Sequence, residues 1–173
     1  MQYVTQLPVH SSEDVVLNKA SELLIACGFN VTSQNDNEVK LRGPGMRSTN
    51  QNPILGATEI TLRRSHSTRG KIAVQADLGG VRWMRNFMIF FPLCLFGGLS
   101  AFMVITIAVA FANIPQANFP QGLIEKLLVG AAFMLLLFSC FGVIMTKRIR
   151  RNAETAIDAC VSNADHLVRR ENQ

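Results

Sequence analysis

The sequence predicts a mixed α+β fold: a small cytoplasmic helix-on-antiparallel-sheet domain, then a two-helix transmembrane hairpin, then a C-terminal amphipathic helix. Three observations carry this prediction. Charge is dense up to Arg85, almost absent to Met145, and dense again from Lys147. Two apolar runs within the charge-poor stretch are long enough to cross a bilayer. Ahead of them, four short segments alternate apolar and polar residues around turn-rich breaks. The boundaries expected are 1–80 for the soluble domain, 81–146 for a membrane collar and hairpin, and 147–173 for a basic helical tail.

In the soluble part, Ser11 with Asp14 three residues on has the form of a helix start. Val16, Ala20, Leu23, Leu24 and Cys27 then recur at helical spacing toward Gly28, a C-terminal stop. The residues before Ser11 are read as a leader, and Met1–Asp14 lacks the basic start and apolar core of a signal peptide. "FNVTS" and "EVKLR" form one hairpin around "QNDN", and "ATEITLRR" and "KIAVQADL" a second around "SHSTRG". Val39, Leu41, Ile60, Leu62, Ile72, Val74 and Ala76 are expected on one face, under the helix. Thr58, Glu59, Thr61, Arg63, Lys71, Gln75 and Asp77 are expected on the other, a solvated face of mixed sign. A domain of about 80 residues buries only a modest core, so the collar is expected to help complete it.

Between the two hairpins lies "RGPGMRSTNQNPILGA", Arg42 to Ala57. Unstructured loops longer than about 12 residues are uncommon and are often functional. This one has no GxxxxGK pattern and no following helix to align backbone donors, which argues against a phosphate cradle. If the soluble domain recognises a ligand or partner, the candidates are Arg42, Gly43, Gly45, Arg47, Asn50 and Asn52; the alternative is a plain connector.

The spans are expected at about 87–112 and 123–146, with roughly 26 uncharged residues in the first and about 19 in the second, where about 20 suffice to cross the hydrocarbon core. Arg82 and Arg85 precede the first span, and Lys147, Arg148, Arg150 and Arg151 follow the second, while the connecting "NIPQANFPQG" has no basic residue. Both termini are therefore expected in the cytoplasm, and the setting read from this is the bacterial inner (plasma) membrane. With Trp83 these basic residues make a collar among anionic headgroups, each gaining roughly 1 kcal/mol there. Pro92 is expected to kink or start the first regular helix, with Val81–Phe91 along the interface. Glu125 and Lys126 fall near the outer interface, within reach of headgroups. Gly97, Ala101 and Ala108 share one helical face, and Ala131 and Gly142 offer small surfaces opposite, suited to sealing the hairpin or docking a partner subunit.

The tail repeats Ile149, Ala153, Ile157, Cys160, Ala164 and Leu167, a narrow stripe too short for an independent coiled coil. Docking on the N-terminal domain is expected, with self-association as the alternative.

Chemistry is largely excluded by what is missing. His10, His66 and His166 have no carboxylate or cysteine at metal-ligand spacing. Cys27, Cys94, Cys140 and Cys160 form no paired motif and read as apolar thiols. The net charge of +5 belongs to the collar rather than to a basic, aromatic-rich nucleic-acid surface. No cofactor, no metal, no nucleic acid and no catalysis are expected. The functional expectation is a noncatalytic, membrane-anchored interaction module or accessory subunit that holds a cytoplasmic partner near the bilayer. The alternative is a membrane-tethered sensor or binder of a small anionic ligand or lipid headgroup through the 42–57 loop. The partners expected are the anionic cytoplasmic face of a lipid bilayer and a membrane or cytoplasmic protein, or a second copy.

Overall fold

The computed structural model describes residues 1–46, 51–65, 70–112 and 122–173. Over them the order is β1 (Gln2–Pro8), α1 (Glu13–Ala26), β2 (Asn30–Asn35), β3 (Glu38–Arg42), a 3₁₀ turn (Pro53–Gly56), β4 (Glu59–Arg64), β5 (Lys71–Asp77), α2 (Gly79–Ala112) and α3 (Leu123–Glu171). The chain divides into two compact units: Met1–Met84 together with Thr146–Gln173, and Arg85–Met145.

The first unit is a five-stranded antiparallel sheet of order β1-β5-β4-β3-β2. The alternation that predicts its core holds throughout, with Val39, Leu41, Ile60, Leu62, Ile72, Val74 and Ala76 at 0% exposure. Two expectations need correction. The segment read as a leader is β1, paired with β5 from Gln2↔Asp77 to Pro8↔Lys71. The helix N-cap is Ser12 rather than Ser11, and its side chain makes no capping bond. The turn into α1 is instead held from outside: the Asp165 carboxylate accepts from the backbone N–H of Ser11 at 2.9 Å and of His10 at 3.2 Å. Gly28 does end α1, at φ +94° with its N–H on the Ile25 carbonyl.

One face of the sheet carries the helices. Val16, Leu17, Ala20 and Leu24 of α1 are buried. The C-terminal part of α3 is buried along Ile149, Ala153, Ile157, Val161, Ala164 and Val168. Expected stripe members Cys160 and Leu167 are only half-buried; after Ile157 the buried line advances by four, three and four residues through Val161 and Val168. Fully burying a valine or isoleucine contributes about 1.5–3 kcal/mol, so this helix does most to finish the core, and Val81 and Met84, at the start of the expected collar, are buried in it as well. Polar bonds fix its register: Tyr3 Oη to both Asp158 carboxylate oxygens at 2.8 Å, and Lys19 Nζ to Glu171 at 2.9 Å.

The second unit contains parts of two helices long and apolar enough to cross a membrane. Only 6% of each apolar window is buried, where the core helix of a soluble protein would be mostly covered. The first helix starts at Gly79 and runs without a break through Pro92, so Val81–Phe91 is helix of the same element rather than a separate interfacial segment. Among the described residues of this unit, only Pro92 and Gly142 are buried. A Cβ on Gly142 would stand 3.6–3.7 Å from Met88 and Ile89, so the two helices touch beside the turn that Pro92 deprives of a hydrogen bond. Phe96 and Phe138 stack higher up, with ring centroids 5.1 Å apart. The connector between the helices, with Pro115 and Pro120, lies outside the described residues.

Candidate functional site

The sheet face opposite the helices is open. Cross-strand partners share a face, so the register Glu38↔Arg63, Lys40↔Thr61↔Gln75 and Arg42↔Glu59↔Asp77 lays out a polar grid. It holds a depression of about 360 Å³ whose lining runs from Gln2 to Lys40. The grid is largely self-neutralised. Arg63 donates to Glu38 at 2.7 Å and Lys40 stands 3.3 Å from the same carboxylate. The Arg63 bond, against the opposing effect of burial, holds Glu38 below the usual carboxylate range. Asp77 accepts from Arg82 at 2.9 Å and lies 3.3 Å from the N-terminal ammonium. Glu59, Thr61, Arg63, Lys71, Gln75 and Asp77 take the face expected of them. Thr58 does not: its N–H and hydroxyl turn to the Asp77 carbonyl.

Arg42, an expected loop residue, ends β3 and stands exposed in this grid. Of the other described candidates, Gly43 and Gly45 are half-buried and Asn52 is exposed. Gly43 N–H donates to the Thr58 carbonyl at 2.9 Å, so the loop leaves and rejoins neighbouring strands. Gly43 lies against the Phe29 ring, where a Cβ would come within 2.6 Å. Gly45 adopts φ +79°. Asn52 caps the 3₁₀ turn by accepting the Ile54 N–H at 3.1 Å. Met46, Ile54 and Ala57 are buried. The start of α2 fits the loop at backbone distance, since a Cβ on Gly80 would meet Met46 N at 2.9 Å and the Leu55 and Gly56 carbonyls at 3.0 Å. A groove beside them, lined by Pro44, Met46, Thr58 and Trp83, is mostly apolar. Arg47 and Asn50 lie outside the described residues.

The expected collar residues are mostly exposed. Arg82 is paired with Asp77, Trp83 is 52% exposed, and Arg150 is bonded to Glu154 at 2.7 Å. Lys147, Arg148 and Arg151 are exposed, and Arg85 stands beside Asn86 at 3.3 Å. Of the small residues singled out for helix packing, Gly142 is buried and Ala131 half-buried. Gly97, Ala101 and Ala108 are exposed, and nothing lies within 4 Å of a Cβ built on Gly97.

Cys27 and Cys160 are half-buried, Cys94 and Cys140 exposed. Burial, and then the neighbouring Cys27, push the Cys160 thiol up to about 11. Among the described residues no three histidines, cysteines or carboxylates converge as metal ligands. Tyr3, Asp158 and Asp165 carry no local sequence signal, because the bonds they make join residues 154 or 155 positions apart. No family model, curated protein or solved structure matches the chain.

Proposed function

We propose that the protein is a noncatalytic, membrane-anchored interaction module whose two apolar helices span the bilayer and whose sheet presents its open polar face to a cytoplasmic partner. The observation that carries this reading is the grid from Glu38 to Arg82, which no element of the chain covers among the described residues. Arg42 and Lys40 stand at its edge with their side chains exposed, which favours a partner with carboxylates at matching positions. The anchoring half rests on the low burial of the apolar windows and the basic residues that flank them. Binding of an anion by the loop draws less support. Gly43, Gly45 and Asn52 are accounted for by packing and capping, and the nearby groove is apolar.

Purification of the full chain in mild detergent, with identification of what stays bound, tests the module. A stoichiometric partner retained by the wild type and lost from Arg42→Glu supports it. A partner indifferent to Arg42→Glu and Lys40→Glu, or none at all, overturns it. Reporter fusions at each end test the anchoring. Both should report cytoplasm, and an external C-terminus would overturn the hairpin.

A further inference from the structure

We propose that the free edge of β1 is a self-association surface, at which two copies of this chain pair their first strands antiparallel about a two-fold axis. β1 is the terminal strand of the sheet, with β5 on its inner side alone. The backbone directions fix what its outer side presents. Thr58 N–H donates to the Asp77 carbonyl, so the Asp77 backbone points to β4. Leu78 N–H donates to the Met1 carbonyl, and Val9 N–H to the Gly70 carbonyl, so odd-numbered residues of the first strand bond to β5. The N–H and C=O groups of Gln2, Val4 and Gln6 therefore point away from the sheet, and among the described residues no backbone partner meets them.

A bare strand edge is a template for another strand, and proteins blunt such edges with charge, bulges or covering segments. β1 has none of the first two. Gln2–Pro8 carries no charge, its register is unbroken over all seven residues, and Val4 is 67% exposed. The opposite edge is built differently. β2 slips register between Val31 and Ser33, and the Thr32 hydroxyl there bonds to the Lys40 carbonyl at 3.0 Å, a bulge that disrupts further pairing.

The occupant is a second copy because β1 is complementary to itself. With Val4 opposite Val4, Gln2 falls opposite Gln6 and Tyr3 opposite Thr5, so no like charges meet. Val4 and its symmetry mate then form a hydrogen-bonded pair, and the ladder totals about six main-chain bonds. Pro8, which has no N–H to give, lies beyond its end. Such an interface is isologous and closes at two copies, and the bulged β2 edges do not extend it.

The test needs no partner identity and is independent of the function proposed above. The full chain in mild detergent should be a dimer by light scattering. Val4→Pro removes an N–H that points away from β5 and so costs no bond within the sheet, a substitution edge strands tolerate. It should leave the thermal transition of the fold near that of the wild type while weakening self-association roughly 30-fold, the equivalent of two lost hydrogen bonds. Val4→Lys should dissociate the dimer through like-charge repulsion. Register is read by cross-linking. In a hydrogen-bonded pair the Cα atoms stand about 5.5 Å apart, within disulfide range. Val4→Cys should therefore cross-link to itself well above the wild type and above Val15→Cys, a change at an exposed position of α1. Gln2→Cys and Gln6→Cys should cross-link when mixed and not separately. A monomer at all concentrations, a Val4→Pro dimer that dissociates no more readily than the wild type on dilution, or a different cross-linking register would overturn the proposal.

Discussion

The phenolic oxygen of Tyr3 stands 2.8 Å from both carboxylate oxygens of Asp158, joining the first strand of the sheet to the last helix. Burial, and then the bond to Asp158, raise the Tyr3 phenol above its ordinary pKa, so it is a donor at every physiological pH. Tyr3→Phe keeps the ring and removes the bond. The site is only partly buried, so the expected loss is about 1 kcal/mol, read as a lowered denaturation midpoint of the detergent-solubilised chain. Asp158→Asn, which leaves an acceptor in place, should lose less.

Asp165 sets an acid limit on stability. Burial alone would raise its carboxyl, but the N–H groups of Ser11 and His10 and the Arg169 guanidinium outweigh burial and hold it below the ordinary range. A carboxylate depressed in the folded state contributes fully above its unfolded pKa of about 3.9 and loses that contribution as pH falls through the folded value. The midpoint should therefore drop below about pH 5 in the wild type. Asp165→Asn should be less stable at pH 7 and show a shallower acid slope, read from denaturation at stepped pH. An unchanged slope would remove Asp165 from the account.

Two glycines separate packing from propensity. A Cβ on Gly80 would press on the Met46 amide and on two carbonyls, all backbone atoms that cannot swing aside. Gly80→Ala should cost about 1–3 kcal/mol. Gly98 has nothing within 4 Å, so Gly98→Ala should be neutral or slightly stabilising, by up to about 1 kcal/mol from helix propensity. Thermal transitions of the two variants in the same detergent decide the matter.

Cys160 should resist alkylation. With its thiol pushed up to about 11, it holds on the order of 200-fold less thiolate at pH 8 than a thiol of ordinary pKa near 8.5. Peptide mass spectrometry after brief iodoacetamide treatment should find Cys160 far less modified than Cys27, and equally modified once the chain is unfolded.

The core of the sheet was legible because its alternation is nearly strict: Val39, Leu41, Ile60, Leu62, Ile72, Val74 and Ala76 are all apolar and fully buried, and only Arg64, at the end of β4 opposite Ile72, breaks the pattern. β1 was not, because its inward residues are Tyr3, Thr5 and Leu7 while an exposed valine, Val4, points the other way. Heptad spacing places Cys160 and Leu167 in the tail stripe. The buried face passes one residue beyond each, to Val161 and Val168, a drift that a fixed heptad count cannot follow along a straight helix. The loop drew attention through its glycines, yet Gly43 is required by the Phe29 ring against it and Gly45 by its left-handed φ of +79°, features that only the folded chain supplies. For the same reason the polar grid could be listed by alternation, while its pairings could not.

The first unit is discontinuous, assembled from Met1–Met84 and Thr146–Gln173 with the apolar stretch between them. A ribosome makes the sheet first and Ile157, Val161 and Val168 last. Until those residues emerge, part of the sheet's inner face has no cover, and they emerge only after both apolar helices have left the exit tunnel. Completion of the soluble core is thereby a report that the whole apolar segment has been synthesised. A nascent chain arrested in that segment, or cleaved after it, exposes greasy β-structure to the chaperones and proteases that patrol for it.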